Sequence, residues 1–178
     1  METLDERIAR IRAKQQMWGS FPPPCILTPR IWLGSAHDAT DIEWLKEHRI
    51  THVINCAESL PKYDSKILPE TDIEQVWVLD ADDDPSYPIL AKHLDDVIQF
   101  LNVAYHNPDA RVLIHCRAGM NRSPALALAA VVAMAPPTRR TRLEIFASLY
   151  EAAVKQRPFI LQNEGFYEQL LAWAHQEN

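Results

Sequence analysis

An apolar strand that leads through a short loop into an apolar helix constrains this chain most. Arg111 to Ile114 is a short apolar segment of the kind buried on both faces of a sheet, and Pro124 to Met134 reads as a very apolar helix. Such a strand needs covering layers above and below it. The rest of the chain supplies them in alternation. Arg30 to Gly34, Thr51 to Cys56 and Gln75 to Leu79 read as strands, and Asp38 to His48 and Ile89 to Tyr105 as helices. Pro136-Pro137 ends the apolar helix, and Arg140 to Val154 and Phe166 to His175 read as two more. Alternating strands and helices predict an α/β fold with a mostly parallel central sheet flanked by helices.

A length of 178 residues suits one domain with a short appendage and needs no staples to hold its core. Residues 3 to 18 place Leu4, Ile8, Ile11 and Met17 at helical spacing among charged side chains, which predicts an amphipathic helix. Gly19-Ser20 and Pro22-Pro23-Pro24 then break it. Residues 1–22 are therefore read as helix and linker, and residues 23–178 as the main domain. The helix's apolar side needs a cover, either its own domain or a second subunit.

Charge and cysteine usage narrow the function classes. The formal net charge of -6 does not favour nucleic acid or an anionic membrane as partner. No apolar run reaches transmembrane length, and the opening METLDERIAR is too charged for a signal peptide. Cys25, Cys56 and Cys116 are an odd, widely spaced set that does not form a disulfide framework. A reducing, intracellular, cytoplasmic setting is expected.

The loop His115 to Ser123 lies at the carboxyl end of the apolar strand, where open α/β sheets bind ligands. Pro124 suits a first helical position, so the loop approaches a helix N-terminus. Backbone N–H groups there converge on an anion, and the helix dipole adds to them. Gly119 permits a tight curl, and the planar fork of Arg122 can hold two oxygens of a tetrahedral anion. The same amides and dipole stabilise a thiolate at Cys116. Five residues separate Cys116 from Arg122, so one loop can wrap a phosphoryl group with sulfur beneath it. A metal reading of Cys116 and His115 lacks partners, because no CxxC or HExxH occurs.

The pattern His115-Cys116-x-x-Gly119-x-x-Arg122-Ser123 resembles the signature of cysteine-dependent protein tyrosine phosphatases. Arg122-Ser123-Pro124 and the absence of a Trp-Pro-Asp motif point to the dual-specificity branch. Ile26 to Ser35, Thr51 to Asn55 and Gln162 to Phe166 are similar to that branch's opening strand, its second strand and the segment before its last helix. Within the family, Asn121-Arg122-Ser123, the acidic pair Asp83-Asp84 ahead of Asp95-Asp96-Val97, and the long segment from Arg142 to Gln162 are similar to the small poxvirus enzymes.

The resemblance implies a single-domain phosphatase fold that hydrolyses phosphotyrosine and phosphoserine or phosphothreonine through a cysteinyl phosphate. It implies no metal and no cofactor. Cys116 is the expected nucleophile. His115, Cys116, Arg117, Ala118, Gly119, Met120, Asn121 and Arg122 form the phosphate loop, with His115 ordering it. Ser123 assists the thiolate as it leaves. The general acid comes from Asp80, Asp82, Asp83 and Asp84. The family pattern favours Asp83 over Asp84, and crowding of the carboxylates is expected to help a donor keep its proton. Asn121 tunes the loop or caps the turn. Arg117 favours acidic peptides or is a solvated charge. Cys56 is a small buried residue or a redox partner of Cys116. The poxvirus likeness implies phosphorylated proteins of a host or virus as substrates, and a homodimer that exchanges residues 3–18.

Three rival enzymes and one rival binding module stand beside this reading. An RNA 5′-triphosphatase of the cysteine type also carries Asn before the loop Arg, but the acidic charge, Ser123-Pro124 and Asp83 oppose it. Phosphoinositide phosphatases carry basic residues where Ala118 and Met120 stand. A rhodanese-type sulfurtransferase loop is one residue shorter. A phospho-binding module would not need Cys116, Arg122 and an acid together.

Overall fold

The computed structural model describes residues 2–15, 22–57 and 67–176. Strand β5 (Val112–Cys116) lies at the middle of a five-stranded sheet. On one side of it stand β2 (Ile31–Ser35) and β1 (Cys25–Thr28), and on the other β3 (His52–Asn55) and β4 (Gln75–Val78). β2, β5, β3 and β4 run parallel, and only the edge strand β1 runs antiparallel. The strand expected over Arg30 to Gly34 is β2, whereas the resemblance implies one opening strand across Ile26 to Ser35. Pro29 and Arg30 form a turn there instead and fold β1 back onto β2.

Alternate residues of the central strands serve two cores. Ile31, Leu33, Ile54, Val112 and Ile114 face the larger one. Its other wall is α3 (Ile89–Ala104), α4 (Arg122–Ala133), α5 (Arg142–Gln156) and α6 (Glu164–His175). Trp32, Val53 and Leu113 face the smaller core, with Leu45 of the short helix spanning Ile42–Glu47, Ile50, Ile67 and Ile73. Both sheet faces are thus covered, which is why β5 could be apolar at successive positions. Nine of the twelve residues of α4 are buried, because strand β5 and three other helices pack around it. Truncating Leu128 to Ala there should cost roughly 2–5 kcal/mol.

The ends of α4, α5 and α6 differ from the periodicity reading by one or two residues, whereas the helix expected over residues 3–18 stops at Ala13 and the one expected over Asp38 to His48 begins only at Ile42. α4 starts at Arg122, so Pro124 is its third residue and not its first. Nothing is lost, since the first intrahelical bond runs from Ala125 N to Asn121 O at 3.0 Å and Pro124 precedes it. α5 begins at Arg142, behind a capping box of Thr141 and Glu144. α6 begins at Glu164, capped by Asn163.

The N-terminal helix (Leu4–Ala13), α1 in chain order, packs on its own chain. Ile8 and Ile11 are buried in the larger core. Asp5 meets His175 at 2.8 Å, Arg7 pairs with Glu151, and the Arg12 guanidinium lies 4.0 Å from the Tyr167 ring centroid. Of the two covers open from sequence, the structure shows the intramolecular one. Met17 and Gly19-Ser20 lie outside the described residues.

Candidate active site

The phosphate loop hangs between β5, which delivers His115 and Cys116, and α4, which starts at Arg122. Four consecutive carbonyls of this loop are tied from outside. Arg117 O accepts from Ala36 N at 3.1 Å, and Met120 O accepts from Leu161 N at 2.6 Å. Between them, Ala118 O and Gly119 O accept from Arg157 Nη2 and Nε at 3.1 and 3.2 Å. In a planar trans peptide the carbonyl and the next N–H point in opposite directions. The N–H groups of Ala118, Gly119, Met120 and Asn121 therefore turn toward the inside of the loop. That is an anion cradle. Gly119 permits it with φ +64°, and any Cβ there would come within 2.4 Å of Gly34 O.

Cys116 sits at the bottom of the cradle, 1% exposed. Its Sγ accepts the Ser123 Oγ hydrogen bond at 3.2 Å from the first turn of α4. His115 is buried behind it, with Nδ1 3.3 Å from Cys116 O. Burial pushes the His115 imidazole down to about 4, so the ring is neutral near pH 7 and suits an ordering role, not proton transfer.

Arg122 donates Nη1 to Ala81 O at 3.1 Å. Its Nε is buried with no hydrogen-bond partner among the described residues and lies 3.6 Å from Asp83 Oδ2. A buried donor left over in this way is what an incoming phosphoryl oxygen would satisfy.

The same contact separates the acid candidates. Asp83 faces Arg122 and is steadied by Asn163, whose Nδ2 donates to Asp83 O at 3.0 Å and to its Oδ1 at 3.2 Å. Asp84 is turned into the following turn, where it accepts from Ser86 N at 2.7 Å and from Ser86 Oγ. These bonds hold its carboxyl below the usual range, the reverse of the help that crowding was expected to give a donor. Asp80 and Asp82 are exposed, and no contact with Arg122 is seen for either among the described residues.

Asn121 Oδ1 accepts from Asn163 N at 2.9 Å and makes no cap on α4, which leaves the loop-tuning role. Arg117 is exposed. Cys56 is buried, and its thiol is pushed well up, by burial first and then by Cys116. It rests as a packed thiol, and Cys25, Cys56 and Cys116 are all free. Among the described residues no group of three metal-ligating side chains lies together.

Three residues of this arrangement were not singled out from sequence. Arg157 and its counter-charge Asp38, 3.6 Å apart, stand behind the loop. A charged residue is almost never fully buried, so nothing in the local pattern marks Arg157. Asn163 lies in the segment that resembles the family, and its bridge between loop and acid depends on tertiary structure. Beside it, α6 and the acid loop touch so closely that a Cβ on Gly165 would lie 1.8 Å from Pro85 O.

The model of the dual-specificity phosphatase catalytic domain matches residues 31–176. The chain belongs to the dual-specificity phosphatase family. The chain is 32% identical over 145 residues to dual specificity protein phosphatase 19 of Mus musculus. The match covers 82% of the chain but only 59% of the mouse protein. The crystal structure of DUSP15 superposes with a TM-score of 0.70 at 27% identity, covering 86% of this chain and 88% of that one. OH1 from the Orf virus, a tyrosine phosphatase with triple substrate specificity, shares the fold at a TM-score of 0.74 and 23% identity, covering 96% of each chain.

Proposed function

We propose that this dual-specificity phosphatase hydrolyses phosphotyrosine and phosphoserine or phosphothreonine in proteins through a cysteinyl phosphate. The row of four outward-tied carbonyls carries the reading, because it turns the amides that follow them toward the inside of the loop that begins at Cys116. The Cys116 thiolate attacks phosphorus as the bond to the leaving oxygen breaks, and Asp83 gives that oxygen its proton. Arg122 and the loop amides hold the equatorial oxygens throughout. Water then attacks the phosphocysteine, its proton passes to Asp83, and the departing thiolate takes the Ser123 hydroxyl hydrogen bond. No step asks for a metal. The buried, free thiols support action in a reducing, intracellular compartment.

The RNA reading, which Asn121 keeps open, is weakened by Asp83, an acid candidate 3.6 Å from Arg122 that the triphosphatase branch lacks. Side-by-side turnover of phosphotyrosine peptide, phosphothreonine peptide and triphosphate-ended RNA tests the choice. The expected result is turnover of both peptides and loss of it in Cys116→Ser, which should still bind them. Turnover of RNA alone, or unchanged peptide turnover by Cys116→Ser, would reject the proposal.

A homodimer with exchanged α1 helices is also proposed. Such a dimer would place the same Ile8 and Ile11 contacts on a partner's α5 surface. Light scattering at micromolar concentration tests it, with a dimer mass expected and a monomer mass decisive against it.

A further inference from the structure

We propose that Arg157 is a positioning residue of the phosphate loop, and that it makes the loop's shape conditional on the docked N-terminal arm. The proposal rests on the phosphatase reading above.

Arg157 caps the end of α5 and is completely buried. A buried guanidinium is costly unless its donors are all used. Here they are divided between two segments. Nε and Nη2 serve Gly119 O and Ala118 O in the loop. Nη1 serves Pro22 O and Pro23 O at 3.0 and 2.9 Å, on the linker that follows the arm. Asp38 supplies the opposite charge to Nη1 at 3.6 Å, and it is itself fixed by Ser35 N and Ser35 Oγ, both at 2.7 Å. Thus one rigid fork reads the loop on one side and the arm on the other. The proline run, which breaks a helix in the sequence reading, is here an edge of acceptors with fixed φ and no donors to compete.

A second tie runs from the arm to the same loop. Arg12 Nη1 donates to Leu161 O, and Gln15 Nε2 donates to Ile160 O at 2.7 Å. Leu161 then holds Met120 O through its N–H at 2.6 Å. Leu161 adopts φ +58°, which a leucine rarely does, so its position is held from both sides. Six residues separate Gln15 from Pro22, so the seat of α1 limits where the proline run can lie.

Undocking the arm would strip Nη1 of both carbonyls and leave it to Asp38. The fork could then shift toward that carboxylate, and the peptide planes after Ala118 and Gly119 would be free to turn. Their N–H groups would no longer point at the phosphate. An arm docked from its own chain or from a partner satisfies Arg157 equally.

The test is the inhibition constant for inorganic phosphate, which does not depend on how much of a preparation is active. Full-length Arg157→Gln, the arm variant Ile8→Asp/Ile11→Asp and their combination are compared with wild type. Each of the first two should weaken phosphate inhibition about 10-fold, what one net hydrogen bond to a charged group is worth. The combination should be no weaker than either alone, because both act through one group. If the arm variant fails to fold, Arg12→Ala/Gln15→Ala in the full chain replaces it and should weaken inhibition in the same direction through Leu161. An unmoved constant with a lowered melting temperature overturns the proposal, as does full additivity of Arg157→Gln with Ile8→Asp/Ile11→Asp. If wild type neither turns over phosphopeptide nor is inhibited by phosphate, the phosphatase reading fails first. If it does both and the variants leave the constant unchanged, only the positioning role fails.

Discussion

Replacing Ser123 by alanine separates the two halves of the proposed reaction. The hydroxyl is fully buried and donates to Cys116 Sγ at 3.2 Å. A hydrogen bond to a charged group is worth roughly 1.5–3 kcal/mol, which is about 10- to 150-fold in rate. During attack the thiolate's charge is spent on phosphorus, so the hydroxyl helps little. During hydrolysis the charge returns to sulfur, and the hydroxyl stabilises it. Ser123→Ala should therefore lower kcat by that factor and leave kcat/KM, which reports attack, near wild type. Rapid mixing with a chromogenic aryl phosphate should show a burst of alcohol release of one equivalent per active site. If kcat and kcat/KM fall together with no burst, the hydroxyl acts on both steps and the assignment is wrong.

Asp83→Asn should slow phosphotyrosine turnover by about 10²–10⁴-fold and affect an aryl phosphate with an acidic leaving group much less. Asp84→Asn should leave both rates close to wild type, and the opposite ranking would reassign the acid. Gly165→Ala forces α6 and Pro85 apart, so it should lower the melting temperature and slow poor leaving groups more than good ones; equal losses for both would separate Gly165 from the acid. His115 takes a proton near pH 4 when folded but near 6.5 when unfolded, so the unfolded chain binds more protons between those values. Stability should then fall by roughly 3 kcal/mol from pH 6.5 to 4, and urea melts of His115→Gln should show that slope reduced; an unchanged slope contradicts the buried neutral ring. Cys56, if only packed, should give no Cys56–Cys116 peptide by mass spectrometry after mild peroxide, and finding one would give it a redox role.

The strand, loop and helix from Val112 to Ala133 were legible because burial and chemistry leave local marks there: consecutive apolar residues, a glycine at the curl, and cysteine and arginine at fixed spacing. Element ends were less legible. Caps such as Thr141 and Asn163 decide them by single hydrogen bonds, while periodicity averages over a turn. Asp83 could be favoured over Asp84 only by resemblance, since the physical difference lies in Asn163, 80 residues away, and in the Ser86 turn. Arg157 was invisible because a sequence shows charge and not burial. The cover of α1 was open for the same reason: amphipathicity says that a face must be buried but not on which chain.

The central claim is that Cys116 carries the phosphoryl group. Acid quenching of Ser123→Ala during turnover of a phosphotyrosine peptide, followed by peptide mapping, tests it most directly. Phosphate should be found on the peptide that contains Cys116, at close to one equivalent per active site, and be absent from Cys116→Ser treated alike. Sustained turnover with no phosphate on Cys116 would contradict the account.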